Sequence, residues 1–347
     1  MTIEDGRLTG IEFKSVPYLK ALPELSSLVA LRTLRIKTCG FLTALPELNG
    51  LRSLTTLEIH DCIKLRALAE LSGLESLTTL EIYDCTELRA LPELSGLVAL
   101  ETLEVYKCKG LTALPELSSL VALTNLQISD CEGLTALPEL CGLVALMKLR
   151  ISDCHGLTAL PKMRGLVALE TLEVSKSFGM KALPELSGLV ALTTLKVSSC
   201  WGLKTLPELS SLVALTALEI TDCHGIDGVV PDLSNLLALE TLRIRHCNFL
   251  TALPELSGLV SLATLEITRC KGVTALPGLS SLVALKTLHI ECNDNDIESP
   301  VGLTLPKFTL LHELMAHTDL SSLVALTTLT INGVCGSLKA LPKLKAS

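Results

Sequence analysis

One phrase returns along this chain at a fixed interval, and that interval limits the possible fold more than any other property. Leu-x-x-Leu-x-Ile-x-x-Cys begins at Leu31 (Leu31, Leu34, Ile36, Cys39) and begins again at Leu54 and Leu77. It continues at Leu100, Leu123, Leu146, Leu169, Leu192 and Leu215, each start 23 residues after the last. One extra residue falls within HGIDGVVPDL before Leu239, and Leu262 and Leu285 restore the period. A degenerate copy starts at Leu8, a final copy starts at Leu326, and an irregular insert occupies 293–317. About fifteen units result; one alone cannot bury its leucine face and must stack on its neighbours. Residues 1–347 are therefore expected to form a single solenoid with no separate domain.

Within each unit the residues suggest a path. Leu-x-Ile alternates apolar with polar and carries a β-branched member, so it reads as a short strand with Leu and Ile facing inward. The glycine that often follows Cys (Gly110, Gly133, Gly156, Gly179, Gly225) is expected to supply a permissive backbone for a turn. Pro115, Pro138 and Pro184 exclude a long helix next and favour extended chain. The Glu-Leu-Ser-Gly-Leu that follows suits a short helical turn, with Glu near its N-terminus. Stacked units would place their strands in a parallel sheet, about 4.8 Å apart.

The full phrase, Leu-x-x-Leu-x-Ile-x-x-Cys-x-x-Leu-x-x-Leu-Pro, resembles the leucine-rich repeat in a 23-residue form, with Cys at the usual Asn position. The resemblance runs from Leu8 to Leu344, and the wording is most similar to repeats of plant disease-resistance receptors and of some protist proteins. It implies an α/β-type solenoid shaped as a horseshoe or arc. The parallel sheet would line the concave face, with extended segments and short helical turns on the convex side. It also implies protein recognition. No Gly-x-x-x-x-Gly-Lys-Ser/Thr occurs, so a receptor role would require further domains.

Composition narrows the partners. A net charge of −8 argues against a nucleic-acid protein held by phosphate contacts. Although 48% of residues are hydrophobic, Pro, Gly and charge interrupt them everywhere, so no membrane insertion is expected. Met1 to Gly10 shows neither a basic start nor an apolar stretch, so no secretory signal is expected. The repeats at the two ends lack obvious polar caps, which would leave apolar ends open to self-association.

Ten of the 13 cysteines share one register: Cys39, Cys62, Cys85, Cys108, Cys131, Cys154, Cys200, Cys223, Cys247 and Cys270. Ser177 and Asn293 replace Cys in two copies, and all three residue types can donate a hydrogen bond to backbone. A ladder of buried donors is expected, without disulfides, because in-register side chains stand parallel rather than converging. Free thiols fit a reducing compartment, so an intracellular, cytoplasmic location is expected. Cys154-His155, Cys223-His224 and His246-Cys247 invite a metal reading. Consecutive residues point to different sides and no Cys-x-x-Cys occurs, so neither metal nor cofactor is expected. The alternating oxygens of Asn293-Asp294-Asn295-Asp296 lack the Gly and Glu that complete a calcium loop.

Function in such an array sits in columns of equivalent positions. On the concave face, Glu58, Glu81 and Glu104 fall beside His60, Tyr83 and Tyr106, an acidic surface with aromatic anchors. Toward the other end Arg243, Arg245, His246, Arg269, Lys286 and His289 form a basic surface. The residue after Cys runs His155, Phe178, Trp201, His224 in four successive copies, an aromatic strip along one flank. Either surface suits a protein partner. The acidic column from Glu24 and Glu47 to Glu255 reads as solvated surface. A threonine column (Thr33, Thr56, Thr79, Thr102) stabilises sheets, or more remotely orders water against ice. Asp153-Cys154-His155 and Asp222-Cys223-His224 are the only nucleophile-and-base phrases, and their Cys register is inward. A non-catalytic interaction scaffold is expected, with the ligand-sensing segment of a larger receptor as the alternative.

Overall fold

The structure is a computed structural model that describes residues 1–270, 273, 277–291 and 322–332; the insert at 293–317 lies outside the described residues. Two compact units divide the chain, Met1–Met180 and Lys181–Ser347. In the first, β1 (Thr2–Glu4) and β2 (Arg7–Lys14) precede one strand per repeat: β3 (Thr33–Lys37), β4 (Thr56–His60), β5 (Thr79–Tyr83) and β6 (Thr102–Tyr106). β7 (Asn125–Ser129), β8 (Lys148–Ser152) and β9 (Thr171–Ser175) complete it. From β2 to β9 every strand pairs in parallel with the next, in register, so that Leu57 stands beside Leu80 and Glu58 beside Glu81.

The second unit follows the same plan. β10 (Thr194–Ser198), β11 (Ala217–Thr221), β13 (Thr241–Arg245), β15 (Thr264–Thr268), β16 (Thr287–Glu291) and β17 (Thr328–Asn332) form its parallel sheet. β12 (Gly228–Val229) and β14 (Leu250–Ala252) pair separately in parallel. The parallel-sheet architecture expected from the repeat is thus present in each unit.

The 23-residue period has a simple physical content. After Cys39, the buried positions Leu42, Leu45, Leu48, Leu51, Leu54 and Leu57 recur at every third residue. Ile59 follows two residues later and Cys62 three after that. Seven steps of three and one of two close the rung, the short step being the strand, where alternate residues face inward. A fully buried leucine or isoleucine contributes about 1.5–3 kcal/mol, so the aliphatic interior dominates stability.

The short helical turns expected on the side away from the sheet are absent among the described residues. Leu51 N–H donates to Leu48 O and Leu54 N–H to Leu51 O, each at 2.9 Å. These are two separate turns laid end to end. A 3₁₀-helix would need such bonds at consecutive residues, and here they come three apart, which keeps each junction leucine inward. Where that side is not turning it is extended: Ala44 bridges Ala67, and β12 pairs with β14.

The turn after each strand also differs from the expectation. Gly110, Gly133, Gly156, Gly179 and Gly225 are not among the residues with positive φ. The left-handed residue is instead the one before Cys, commonly Asp: Asp61, Asp84, Asp130, Asp153 and Asp222 have φ of 53–55°. Asp tolerates that region through local hydrogen bonding of its short side chain. Gly110 is needed for proximity, since a Cβ there would lie 2.7 Å from Thr86 O and 3.0 Å from Leu88 O of the preceding rung.

At the N-terminus the outer edge of β2 is paired, while Val16 and Tyr18 remain exposed. β1 pairs antiparallel with β2 through Asp5 (φ 47°) and Gly6 (φ 74°). Asp-Gly with two positive φ values is the preferred two-residue hairpin turn, and it folds an exposed strand over the outer edge of β2. In the second unit the extra residue is absorbed in a single step. Buried Ile226 is followed by buried Val230, four residues on, with Gly228 at φ 108° between them.

Candidate functional site on the outward face of the sheet

Parallel register places equivalent side chains about 4.8 Å apart, so each column is a row of close neighbours. On the first unit, three carboxylates occupy one row and experience three different environments. Glu58 is only 8% exposed. It accepts from Arg35 Nε at 2.7 Å and pairs with Lys37 Nζ at 2.7 Å. Burial pushes its carboxyl up, but bonds from Lys37 and Arg35 outweigh burial and hold it below the usual carboxylate range. Glu81 has a weaker partner, His60 Nε2 at 3.4 Å. Burial raises its carboxyl, and the negative charges of Glu58 and Glu104 on either side raise it further. Glu104 is held by two uncharged donors, the Tyr83 hydroxyl and Asn125 Nδ2, the latter at 3.0 Å.

The aromatic residues of the neighbouring row join this arrangement. The His60 and Tyr83 rings stack at 4.5 Å and 11°, and Tyr106 meets Tyr83 edge-on at 5.9 Å and 73°. Burial and the bond to Glu104 push the Tyr83 phenol well above its ordinary range. Tyr106 remains 38% exposed, with Lys107 Nζ 5.5 Å above its ring. The structure therefore brings Glu58, His60, Glu81, Tyr83, Glu104 and Tyr106 into one connected cluster.

The basic row of the second unit is neutralised. Arg243 pairs with Glu219 at 2.7 Å and Glu266 at 3.3 Å. Arg245 forms a two-pronged pair with the same Glu266, its Nε at 2.8 Å. His246 Nδ1 lies 2.6 Å from Asp222 Oδ1, and Arg269 Nε lies 2.8 Å from Glu291. His289 Nδ1 stands 3.4 Å from Glu266. Burial raises the Glu266 carboxyl, but Arg245, His289 and Arg243 more than reverse it, so it titrates below its ordinary range. The acids that neutralise this surface sit in the same columns as the bases. Reading those columns across rungs, rather than by residue type, would have shown it.

On the flank of the first unit, His155 and Phe178 stack at 4.4 Å and 7°. In the second unit, Trp201, 52% exposed, lies 6.2 Å from His224. Behind the flank the thiols point inward. Cys108 Sγ donates to Tyr106 O at 3.6 Å and reaches Ile82 O of the previous rung at 3.8 Å. Cys223 does the same with Thr221 O at 3.3 Å and Val197 O at 3.7 Å. Ser177 Oγ replaces the first of these bonds, to Ser175 O at 3.1 Å. Burial pushes the thiols of Cys108 and Cys223 up to about 12, which removes them as nucleophiles at neutral pH. Neither Asp-Cys-His phrase makes a reactive pair: Cys154 is buried with its thiol on backbone carbonyls, while His155 stacks outside on Phe178. The threonines of the proposed water-ordering column, such as Thr56 and Thr79, are half-buried.

No family model matches the chain, and a search of curated proteins returns no match. Among solved structures, the functional domain of InlJ from Listeria monocytogenes, described as including a cysteine ladder, superposes with a TM-score of 0.50 at 18% identity. The match covers 94% of this chain and 68% of that one. YopM, a leucine-rich effector protein from Yersinia pestis, aligns over 93% of this chain and 88% of its own, with 24% identity and a TM-score of 0.47. An internalin, InlF, from Listeria monocytogenes covers 92% and 86% at 14% identity, with a TM-score of 0.45. Among the described residues, no helix is long and apolar enough to cross a membrane.

Proposed function

Taking as premise that the chain has the leucine-rich-repeat fold, we propose that it is a non-catalytic protein-binding module. It grips its partner on the outward sheet face of the first unit. The observation that carries this reading is the uneven compensation of the acidic row. Glu58 is matched by two cations, whereas Glu81 and Glu104 are held by an imidazole, a phenol and an amide. A partner offering Lys or Arg would supply the missing charge, with the exposed ring of Tyr106 as the adjacent apolar anchor. The paired charges of the second unit offer a partner less, because their desolvation would have to be recovered from ions already satisfied. Buried thiols agree with a reducing, intracellular setting.

Glu81→Lys combined with Glu104→Lys is expected to weaken a partner isolated by cross-linking and affinity capture at least tenfold in Kd. Arg269→Glu on the second unit should change the same Kd less than twofold. Equal binding by wild type and the double variant would discard this surface.

A further inference from the structure

We propose that Glu58, His60 and Glu81 form a binding site for a zinc-type divalent cation. Glu58 and His60 lie two residues apart on β4, so both side chains leave the same face of the sheet. Glu81 stands beside Glu58 on β5. One donor atom from each residue, two carboxylate oxygens and an imidazole nitrogen, lies within 4.8 Å of the others.

One pair within this triad has the spacing of two ligands around an ion. His60 Nε2 and Glu81 Oε2 are 3.4 Å apart. The nitrogen is buried, and its contact with Glu81 does not reach hydrogen-bond geometry. Two donors held about 2.1 Å from a tetrahedral zinc ion stand about 3.4 Å from each other. An enclosed polar atom with so poorly aligned a contact is a cost to the fold, and an ion between these two groups removes it.

The surroundings favour the same assignment. Stacking on Tyr83, whose hydroxyl is tied to Glu104, fixes the plane of the His60 ring, as outer partners do for metal-binding imidazoles. Arg35 and Lys37 occupy part of the Glu58 carboxylate, but its two oxygens have about four acceptor sites between them, so room for an ion remains. Glu81 stands in register between Glu58 and Glu104, and a dication would offset that row of negative charge. One imidazole with two carboxylates suits zinc rather than calcium or magnesium, which prefer oxygen alone. Three protein ligands leave a fourth position for water.

The test is titration of the full chain with zinc by calorimetry, and with cobalt(II) by absorption, in a Cys141→Ser background that removes an exposed thiol. One equivalent of metal is expected to bind. His60→Gln and Glu81→Gln should each weaken that binding at least tenfold, while Glu47→Gln should leave it unchanged. Circular dichroism and melting of each variant will separate loss of the site from loss of the fold. No uptake by the wild type would overturn the assignment, as would equal affinity in the folded His60→Gln variant. A sulfur-to-cobalt charge-transfer band would also overturn it, placing the ion on the thiols.

Discussion

The two units carry the same rung and use its outward positions in opposite ways. Over three rungs of the first, like follows like: Glu58, Glu81 and Glu104 are stacked in register, and His60, Tyr83 and Tyr106 stack beside them. In the second, signs alternate along the same column, from Lys196 to Glu219, Arg243, Glu266 and His289. A parallel in-register sheet turns each of these sequences into a row of neighbours at fixed spacing. Alternation therefore yields a charge-paired ladder, whereas repetition yields an acidic row with uneven compensation. One fold thus produces two differently compensated faces by the order of residues in a single column.

The sharpest way to break this comparison is to remove the hub of the ladder. Glu266→Ala strands Arg245, leaves Arg243 with Glu219 alone and leaves His289 with Glu291 at 4.0 Å. Allowing for the partial exposure of the arginines, the expected cost is about 2 kcal/mol in urea unfolding. A cost near zero would mean that the ladder is ornamental and that the two faces differ less than their geometry suggests.

A smaller effect should be common to both units. Cys108→Val and Cys223→Val fill the same space but abandon the carbonyls that each thiol serves, costing about 1 kcal/mol each by the same measurement. Cys108→Ser should cost less, because Ser177 already makes the equivalent bond. Clearly unequal valine costs would place the difference between the units in their interiors rather than on their faces.

The smallest effect has the opposite sign. Glu81→Gln removes a charge wedged between two like charges and should stabilise the fold at neutral pH by about 0.5 kcal/mol. The pH dependence follows. The Glu81 carboxyl is raised in the folded state, so folding favours its protonated form. Its contribution appears as pH falls below that raised value and is lost as pH rises through it. Glu266 and Glu58 are lowered, so their contribution is complete above the ordinary carboxylate range and is lost as pH falls through their depressed values. As pH falls from neutral toward the ordinary carboxylate range, the wild type should therefore gain stability relative to Glu81→Gln. Parallel melting curves for the two proteins would refute this assignment.

Much of the fold was legible because the repeat names its own inward residues. Leu57, Ile59 and Cys62 are all buried, as alternation and register require. The helical turns were misread because Glu-Leu-Ser-Gly-Leu has the composition of a helix start; spacing decides, and a leucine at every third residue is the signature of tandem turns. The glycines were read for conformational freedom, yet at Gly110 the constraint is a neighbouring carbonyl, which one rung viewed alone does not contain. Asp5-Gly6 is a hairpin signal in the sequence, but the exposed residues around it carry no inward pattern to frame a strand. The site residues could be placed on their columns from sequence. Their pairing could not, because whether Glu81 faces a cation depends on side-chain reach across rungs. The Glu58–His60 spacing on one strand was the available hint of a ligand triad.

The irregular rung before Leu239 shows how this architecture can change its dimensions. Because the surplus residue before Leu239 is taken up at Gly228, the strands on either side, β11 and β13, remain in register. Every lane of side chains passes that point undisturbed. Rung circumference and lane alignment are thus separable properties. Loops of other lengths could be spliced at the corner between Asp227 and Val229 while the outward rows keep their order, so the array can be re-tailored at its back without rewriting its front.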